Sequence, residues 1–297
     1  EAGWAAAAGL DARQFHHGVE QLRANALIDT ERMDGEIHYY GHPMVVAYGE
    51  QKLSEDFSRM REVHDNWSRH YLRFLDEQIR RELPQEPYWQ YLMGRDAERV
   101  RSQWPNLLKL MEWASDYGQH ALLVELMMRI SHQLGSYSYP LRIEYGLKAA
   151  DAAHGLERYA DEAIIRIDAV GWACLEINDF DRGLGQIEKG LQVLDLLLAE
   201  EPATRSLLAL GIIYKARFYA KVRQAGQAAI LLKRALSMQI SDVVRHRALL
   251  TQGDLELARG DDCDAVRSYE QAIDLCRRYG GERTAESNSF LAIAYIR

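Results

Sequence analysis

Proline is scarce in this 297-residue chain, with six in all. It is the residue that cannot donate to a helix ladder, so its scarcity leaves room for long helices. Cysteine is scarcer: Cys174, Cys263 and Cys276 form no CxxC pair, and an odd number closes no complete disulfide framework. A reducing, cytoplasmic setting fits that usage. No stretch approaches the roughly 20 apolar residues of a membrane span. The Ala-rich opening from Trp4 to Leu10 has neither the basic lead-in nor the longer apolar core of a signal peptide. Positive charge is not in excess: the formal net charge of −8 repels phosphate backbones and speaks against direct nucleic-acid binding. Catalytic signatures are missing too. No Gly-x-x-x-x-Gly-Lys-Ser/Thr phosphate loop, no Gly-x-Ser-x-Gly elbow and no His-Glu-x-x-His helix occurs, so neither ATP hydrolysis, acyl transfer nor zinc hydrolysis is expected of this chain.

What is present favours helix. Ala, Leu, Glu, Arg and Gln are abundant, and 47% of the residues are hydrophobic, enough to fill a substantial core. The chain begins at Glu1 and ends at Arg297 inside an apolar helical pattern, which reads as a piece of a longer protein.

The first fifty residues differ from the rest. Asp11 is placed to cap a helix running through Phe15, Val19, Leu22 and Leu27. Ala26 to Asp29 and Glu36 to Tyr40 then flank Met33-Asp34-Gly35, and Asp-Gly between apolar or β-branched runs is a hairpin signal. From Glu55 onward no second strand pair is evident. A long amphipathic helix is expected from Arg59 to Leu83, ending at Pro84. Further helices are expected over 97–104, 106–117, 121–134 and 141–153, with Asp116-Tyr117-Gly118 and Gly135-Ser136-Tyr137 as turns.

One pattern recurs beyond Ala163. A small residue in the middle of a first helix falls at Gly171, Ala216, Gly253 and Ala292, that is, 45, 37 and 39 residues apart. Each of the first three is followed by a second helix with paired small residues around a bulky one: Gly183, Ile187, Gly190; Ala228, Leu232, Ala235; Ala265, Tyr269, Ala272. The fourth copy, Leu291-Ala292-x-x-Tyr295, is cut off. Small residues let helices approach closely, so the spacing predicts stacked helical hairpins.

These copies resemble the tetratricopeptide repeat, although they exceed its usual length of roughly 34 residues. Cys174 and Glu256 stand where that family prefers an aromatic. The expected fold is all-α: a tetratricopeptide-like α-α superhelix over 136–297, preceded by a helical connector over 53–135 and a small winged-helix remnant with one β-hairpin over 1–52. The combination resembles the C-terminal part of a STAND signalling NTPase with an NB-ARC-type core. The phrases that carry the likeness are Tyr40-Gly41-His42-Pro43-Met44-Val45, Trp104-Pro105-Asn106-Leu107-Leu108 and Met111-Glu112-Trp113-Ala114. That resemblance implies a ligand-sensing, autoinhibitory module whose intramolecular partner is the NTPase core. It also implies that His42 reaches the phosphate of bound ADP in the intact protein, ATP and ADP being cofactors of that protein and not of this chain. Pro43 stands where many members have aspartate, and a bare capping role for His42 is the alternative. Two other functions fit a similar build: the sensor region of an ATP-dependent transcription regulator, and a plain tetratricopeptide assembly scaffold.

A protein or peptide ligand is expected in the concave groove lined by the first helices. Taking the small residues as register, Asp168, Trp172, Glu176, Arg217, Lys221, Arg247 and Asp254 face inward. A Trp flanked by Arg and Lys suits an acidic or aromatic segment; the plainer reading is that Trp172 packs against the preceding hairpin and the charges are solvated. No histidine or carboxylate grouping has metal-ligand spacing, and Cys174 is a packing residue without a base partner.

Overall fold

The computed structural model describes residues 2–33, 36–78, 80–81, 90–91, 95–195, 197 and 202–278. They fall into two compact units, 1–77 and 78–297.

In the first unit, α1 (Ala2–Ala8) leads to α2 (Ala12–Ala24). The Asp11 carboxylate accepts the Gln14 amide at 2.8 Å, while the Gln14 side chain accepts the Asp11 amide at 3.2 Å. This reciprocal box satisfies two helix-end donors at once. Strands β1 (Ile28–Met33) and β2 (Glu36–Gly41) pair antiparallel, from Ile28 opposite Gly41 to Met33 opposite Glu36; Asp34 and Gly35, on which the hairpin expectation rested, lie outside the described residues. Phe15, Val19 and Ile28 form a small core under Ala5, Leu22 and Tyr39. Helix α3 (Pro43–Ser54) buries no residue and leaves Met44 and Tyr48 exposed, whereas α4 (Phe57–Gln78) buries Met60, Tyr71 and Leu75.

Helix α4 stops five residues before the expected Leu83. Beyond it β3 (Arg80–Arg81) pairs with β4 (Gln90–Tyr91), correcting the expectation that no second strand pair follows Glu55. A two-residue ladder is too short for period-2 alternation to register.

The rest of the second unit is helical: α5 (Arg95–Ser102), α6 (Trp104–Asp116), α7 (His120–Tyr137), α8 (Tyr139–Gly155), α9 (Tyr159–Ile164), a π-helical stretch (Ile165–Gly171) continuous with α10 (Trp172–Glu176), α11 (Phe180–Leu194), α12 (Pro202–Lys221), α13 (Ala225–Leu236), α14 (Asp242–Arg259) and α15 (Asp262–Arg278). The expected turn at Gly135-Ser136-Tyr137 lies inside α7. The break comes at Ser138, whose hydroxyl caps α8 by accepting the Leu141 amide at 3.3 Å. Gly135 answers to packing: a Cβ there would come within 2.7 Å of the Arg142 guanidinium.

Hairpins form as the spacing predicts. The α9–α10 helix packs on α11, α12 on α13 and α14 on α15, and α12 touches both the π stretch and α14, so the first helices lie side by side. The three connecting turns are built alike. Asn178, Arg223 and Gly260 adopt left-handed φ of 60°, 62° and 83°, each seven residues after its small residue. In each turn the next amide reaches back five residues: Asp179 to the Cys174 carbonyl, Gln224 to Tyr219 and Asp261 to Glu256, at 2.8–2.9 Å. This closure caps the helix carbonyls without side-chain help, which explains how Asn, Arg and Gly share the position. Packing between hairpins and inside them is equally specific. A Cβ on Gly183 would lie 2.3 Å from the Phe218 ring, and one on Gly253 2.3 Å from the Tyr269 ring. The described residues are therefore an all-α, tetratricopeptide-like stack of hairpins with one small β-hairpin in the first unit. The fourth copy lies outside them.

Candidate functional site on the first-helix face

Asp168 and Arg166 interrupt an otherwise apolar run from Ala163 to Leu175, and the two charges have different fates. Arg166 is fully engaged: its guanidinium donates to Glu162 at 2.7 Å, Gln186 at 2.7 Å and Asp151 at 2.8 Å. Glu162 also bonds His154 at 2.8 Å. This network ties α8, α9 and α11 together and has every mark of a packing element.

Asp168 sits in the π stretch at the centre of a second cluster. Its carboxylate accepts the Tyr214 hydroxyl at 2.8 Å, and its backbone carbonyl accepts Nη2 of Arg142 at 2.8 Å; the same Nη2 stands 3.8 Å from the Asp168 carboxylate. One turn further, the Trp172 indole has the Arg217 guanidinium 4.6 Å from its ring centre, the Arg247 guanidinium at 4.9 Å and the Tyr214 ring at 5.2 Å. Arg217 forms an ion pair with Asp254 at 3.4 Å, and Asp254 accepts the Tyr269 hydroxyl at 2.9 Å. One continuous set of polar and aromatic groups thus links α8, the π stretch, α10, α12, α14 and α15.

Five of the seven expected residues, Asp168, Trp172, Arg217, Arg247 and Asp254, meet in this cluster. Glu176 and Lys221 do not; both are exposed, one turn beyond Trp172 and Arg217 respectively. The expectation that Arg217 points freely into a groove is corrected. Arg217 is 5% exposed, Arg247 3% and Trp172 8%, because the neighbouring first helices close over them. Trp172 meets side chains of the following hairpins, while its helix α10 also packs on α8 of the preceding one. What reaches solvent is acidic: the side chains of Asp168 and Asp254 are 17% and 24% exposed. Arg142, Tyr214 and Tyr269 were not anticipated. An arginine within a run of helix formers reads as a solvated charge, and only its flanking Leu141 and Ile143 hint at burial.

The electrostatics follow the packing. Burial alone would raise the Asp168 carboxyl, but Arg142, His132, the Tyr214 hydroxyl and Arg247 together hold it below the ordinary carboxylate range. Burial first, and the Asp168 carboxylate second, push the Tyr214 hydroxyl up, so it remains a donor; Tyr269 is raised in the same way by burial and Asp254. Burial pushes the Cys174 thiol up to about 11, which keeps it neutral and un-nucleophilic near pH 7.

In the first unit His42 is the N-cap of α3, its Nδ1 accepting the Met44 amide at 3.3 Å with Pro43 at the first helical position. Among the described residues no group of three or more His, Cys, Asp or Glu is arranged to hold a metal ion, and no helix is long and apolar enough to cross a membrane.

No family model matches the sequence. A curated protein described as Transcription activator GutR, from Bacillus subtilis (strain 168), is 44% identical over 293 residues, covering 99% of this chain and 35% of that protein. The chain thus spans about a third of the length of the relative it matches. Among solved structures, a Signal Transduction ATPase with Numerous Domains (STAND) protein with a tetratricopeptide repeat sensor, PH0952 from Pyrococcus horikoshii, is 15% identical with a TM-score of 0.37. It covers 94% of this chain and 42% of that one.

Proposed function

We propose that this chain is the ligand-sensing region of a longer, cytoplasmic transcription regulator, and that the first-helix face of its repeats is the sensing surface. The observation that carries the reading is the Trp172 cluster. Three buried arginines and two partly buried carboxylates are a costly way to pack five helices, since apolar side chains of the same volume fill such space at equal or lower free energy. The likeness over nearly the whole chain to a protein named as a transcription activator favours regulation over a plain scaffold.

The chemistry of the open side selects the partner. The arginines are committed to the indole and to Asp254, so the groups offered to solvent are the acceptors of Asp168 and Asp254, with exposed Glu176 beside them in register. A protein or peptide segment bringing donors, such as a basic side chain, fits this face better than the acidic segment that an exposed arginine pair would take. An array of short basic, acidic and neutral aromatic peptides tests it. Wild-type chain should retain the basic set, and Glu176→Lys should abolish that retention while melting normally. Retention of the acidic set, or indifference to Glu176→Lys, overturns the reading.

The nucleotide role of the intact protein belongs to the same proposal, with residues 1–52 as the end of a winged helix next to an NB-ARC-type core. His42 accepts the Met44 amide through Nδ1, which leaves the ring proton on Nε2, the tautomer that can donate to a phosphate oxygen. Loss of bound ADP from the intact protein in His42→Ala tests it; unchanged ADP content leaves only the cap.

A further inference from the structure

The π-helical stretch Ile165–Gly171 is an unusual way to continue a helix. Each amide reaches one residue further back than in an α-helix, so one residue is held as an insert and carbonyls in the stretch lose their ordinary partners. The Asp168 carbonyl is the one that Arg142 of α8 engages, at 2.8 Å, with a side chain that is almost completely buried. The Asp168 carboxylate is bound from the other side by Tyr214 of α12. Both neighbouring hairpins therefore grip the insert at one residue. Immediately after it comes Trp172, with two guanidinium groups within 5 Å of its ring centre, on a helical segment of only five residues that ends at the left-handed turn of Asn178.

We propose that this stretch is a two-state element, held in its π form by Arg142 as a positioning residue, whose conversion to α-helix turns α10 and withdraws Trp172 from Arg217 and Arg247. Returning one inserted residue to α-helical hydrogen bonding rotates the residues after it by about 100°. The short α10 and the Asn178 turn confine that rotation to a handful of residues, leaving α11 in place. The carbonyl that Arg142 held becomes an ordinary intrahelical acceptor, and the Asp168 carboxylate, 3.8 Å from the same guanidinium nitrogen, is the acceptor nearest to Arg142 in its place. The π stretch meets α12 through Asp168, and Trp172, the residue displaced, meets α12 and α14 directly after it. The element would thus report at the first-helix face a change made at either neighbouring hairpin. Its link to ligand sensing rests on the proposed function above; the two-state behaviour itself does not.

The test uses the 297-residue chain without any ligand, which separates its failure from that of the sensing role. In the wild type, hydrogen exchange should show the amides of Asp168 to Trp172 opening at least about 10-fold faster than those in the middle of α11, because the stretch opens locally while the hairpin stays folded. Equal protection in the two segments overturns the proposal whatever any variant does. With 5-fluorotryptophan incorporated, the Trp172 resonance is identified by its absence in Trp172→Phe. Arg142→Met should then give a second Trp172 resonance and a further increase in exchange confined to 165–173, and Arg142→Lys, which restores one donor for the carbonyl, should reverse most of both changes. A folded Arg142→Met chain with a single, unshifted Trp172 resonance shows a static insert and overturns the proposal. So does a lysine variant no different from the methionine one.

Discussion

Among the described residues, only the second of the two compact units buries charge. In residues 1–77 the described ion pairs Lys52–Glu55 and Arg59–Glu62 join neighbours three positions apart, and each partner is about half exposed. Such pairs hold solvent and contribute little to stability. In residues 78–297 the charged residues Arg142, Arg166, Glu162, Arg217 and Arg247 are buried and bound across helices. A solvated charge can be exchanged freely, whereas a buried one commits its neighbours to a single arrangement. Charge on the first unit therefore reads as solubility, as do the exposed pairs Lys148–Glu144 and Arg267–Asp264 of the second, and the buried charge of the repeats as specification of a site.

The largest expected effect breaks that contrast directly. Arg142→Ala removes the buried counter-charge of the Asp168 carboxylate and the donor to its carbonyl, which should lower the unfolding free energy by about 3–5 kcal/mol. Lys52→Ala, its exposed counterpart, should change it by less than about 0.5 kcal/mol. Urea unfolding of both variants checks this; similar small losses would erase the distinction between the units.

Glycine sharpens the comparison next. Gly253→Ala forces a methyl into the Tyr269 ring and should cost about 1–3 kcal/mol. Gly18 in α2 and Gly49 in α3 have nothing within 4 Å of the position their Cβ would take. Alanine at either should stabilise by up to about 1 kcal/mol through helix propensity. Thermal melts that ranked the three alike would contradict the packing described.

A smaller effect is carried by pH. A carboxyl held below its unfolded-state value contributes stability that is fully present above that value, near pH 4, and is lost as pH falls through the folded one. Wild-type chain should therefore lose stability below about pH 4, and Asp168→Asn, less stable at pH 7, should lose less over the same interval. Parallel curves would mean that Asp168 is not held ionised by Arg142. The smallest effect is at His42. As a surface cap with a 3.3 Å bond, its loss in His42→Ala should cost about 0.5–1 kcal/mol at most, so a larger loss in a melt would require a contact beyond the cap.

How much of this was legible beforehand varies with the physics behind each feature. The hairpins were legible because small residues at Gly171, Ala216 and Gly253 recur for a steric reason, and the turns at Asn178, Arg223 and Gly260 keep that phase. The face carrying Asp168, Trp172, Arg217, Arg247 and Asp254 was legible from the same register. Its closure was not, since exposure depends on how near α10, α12 and α14 approach, and side-chain spacing along one helix is silent on that. The π stretch was illegible for a related reason: one inserted residue in a largely apolar run from Ala163 to Val170 leaves the pattern looking helical. The β3–β4 pair was too short to leave a pattern at all.

Calorimetric affinity for the best basic peptide from the array tests the central claim most directly. Glu176→Lys should weaken binding at least about 10-fold by setting like charge against the basic partner, and adding Asp254→Asn should weaken it further, because contacts to a partly desolvated charge are worth roughly 2–5 kcal/mol. Reversal of the exposed outer pair Lys233 and Arg234 should leave affinity within about threefold. If the Lys233 and Arg234 reversal abolishes binding while the Glu176 and Asp254 variant binds normally, the sensing surface is not the first-helix face.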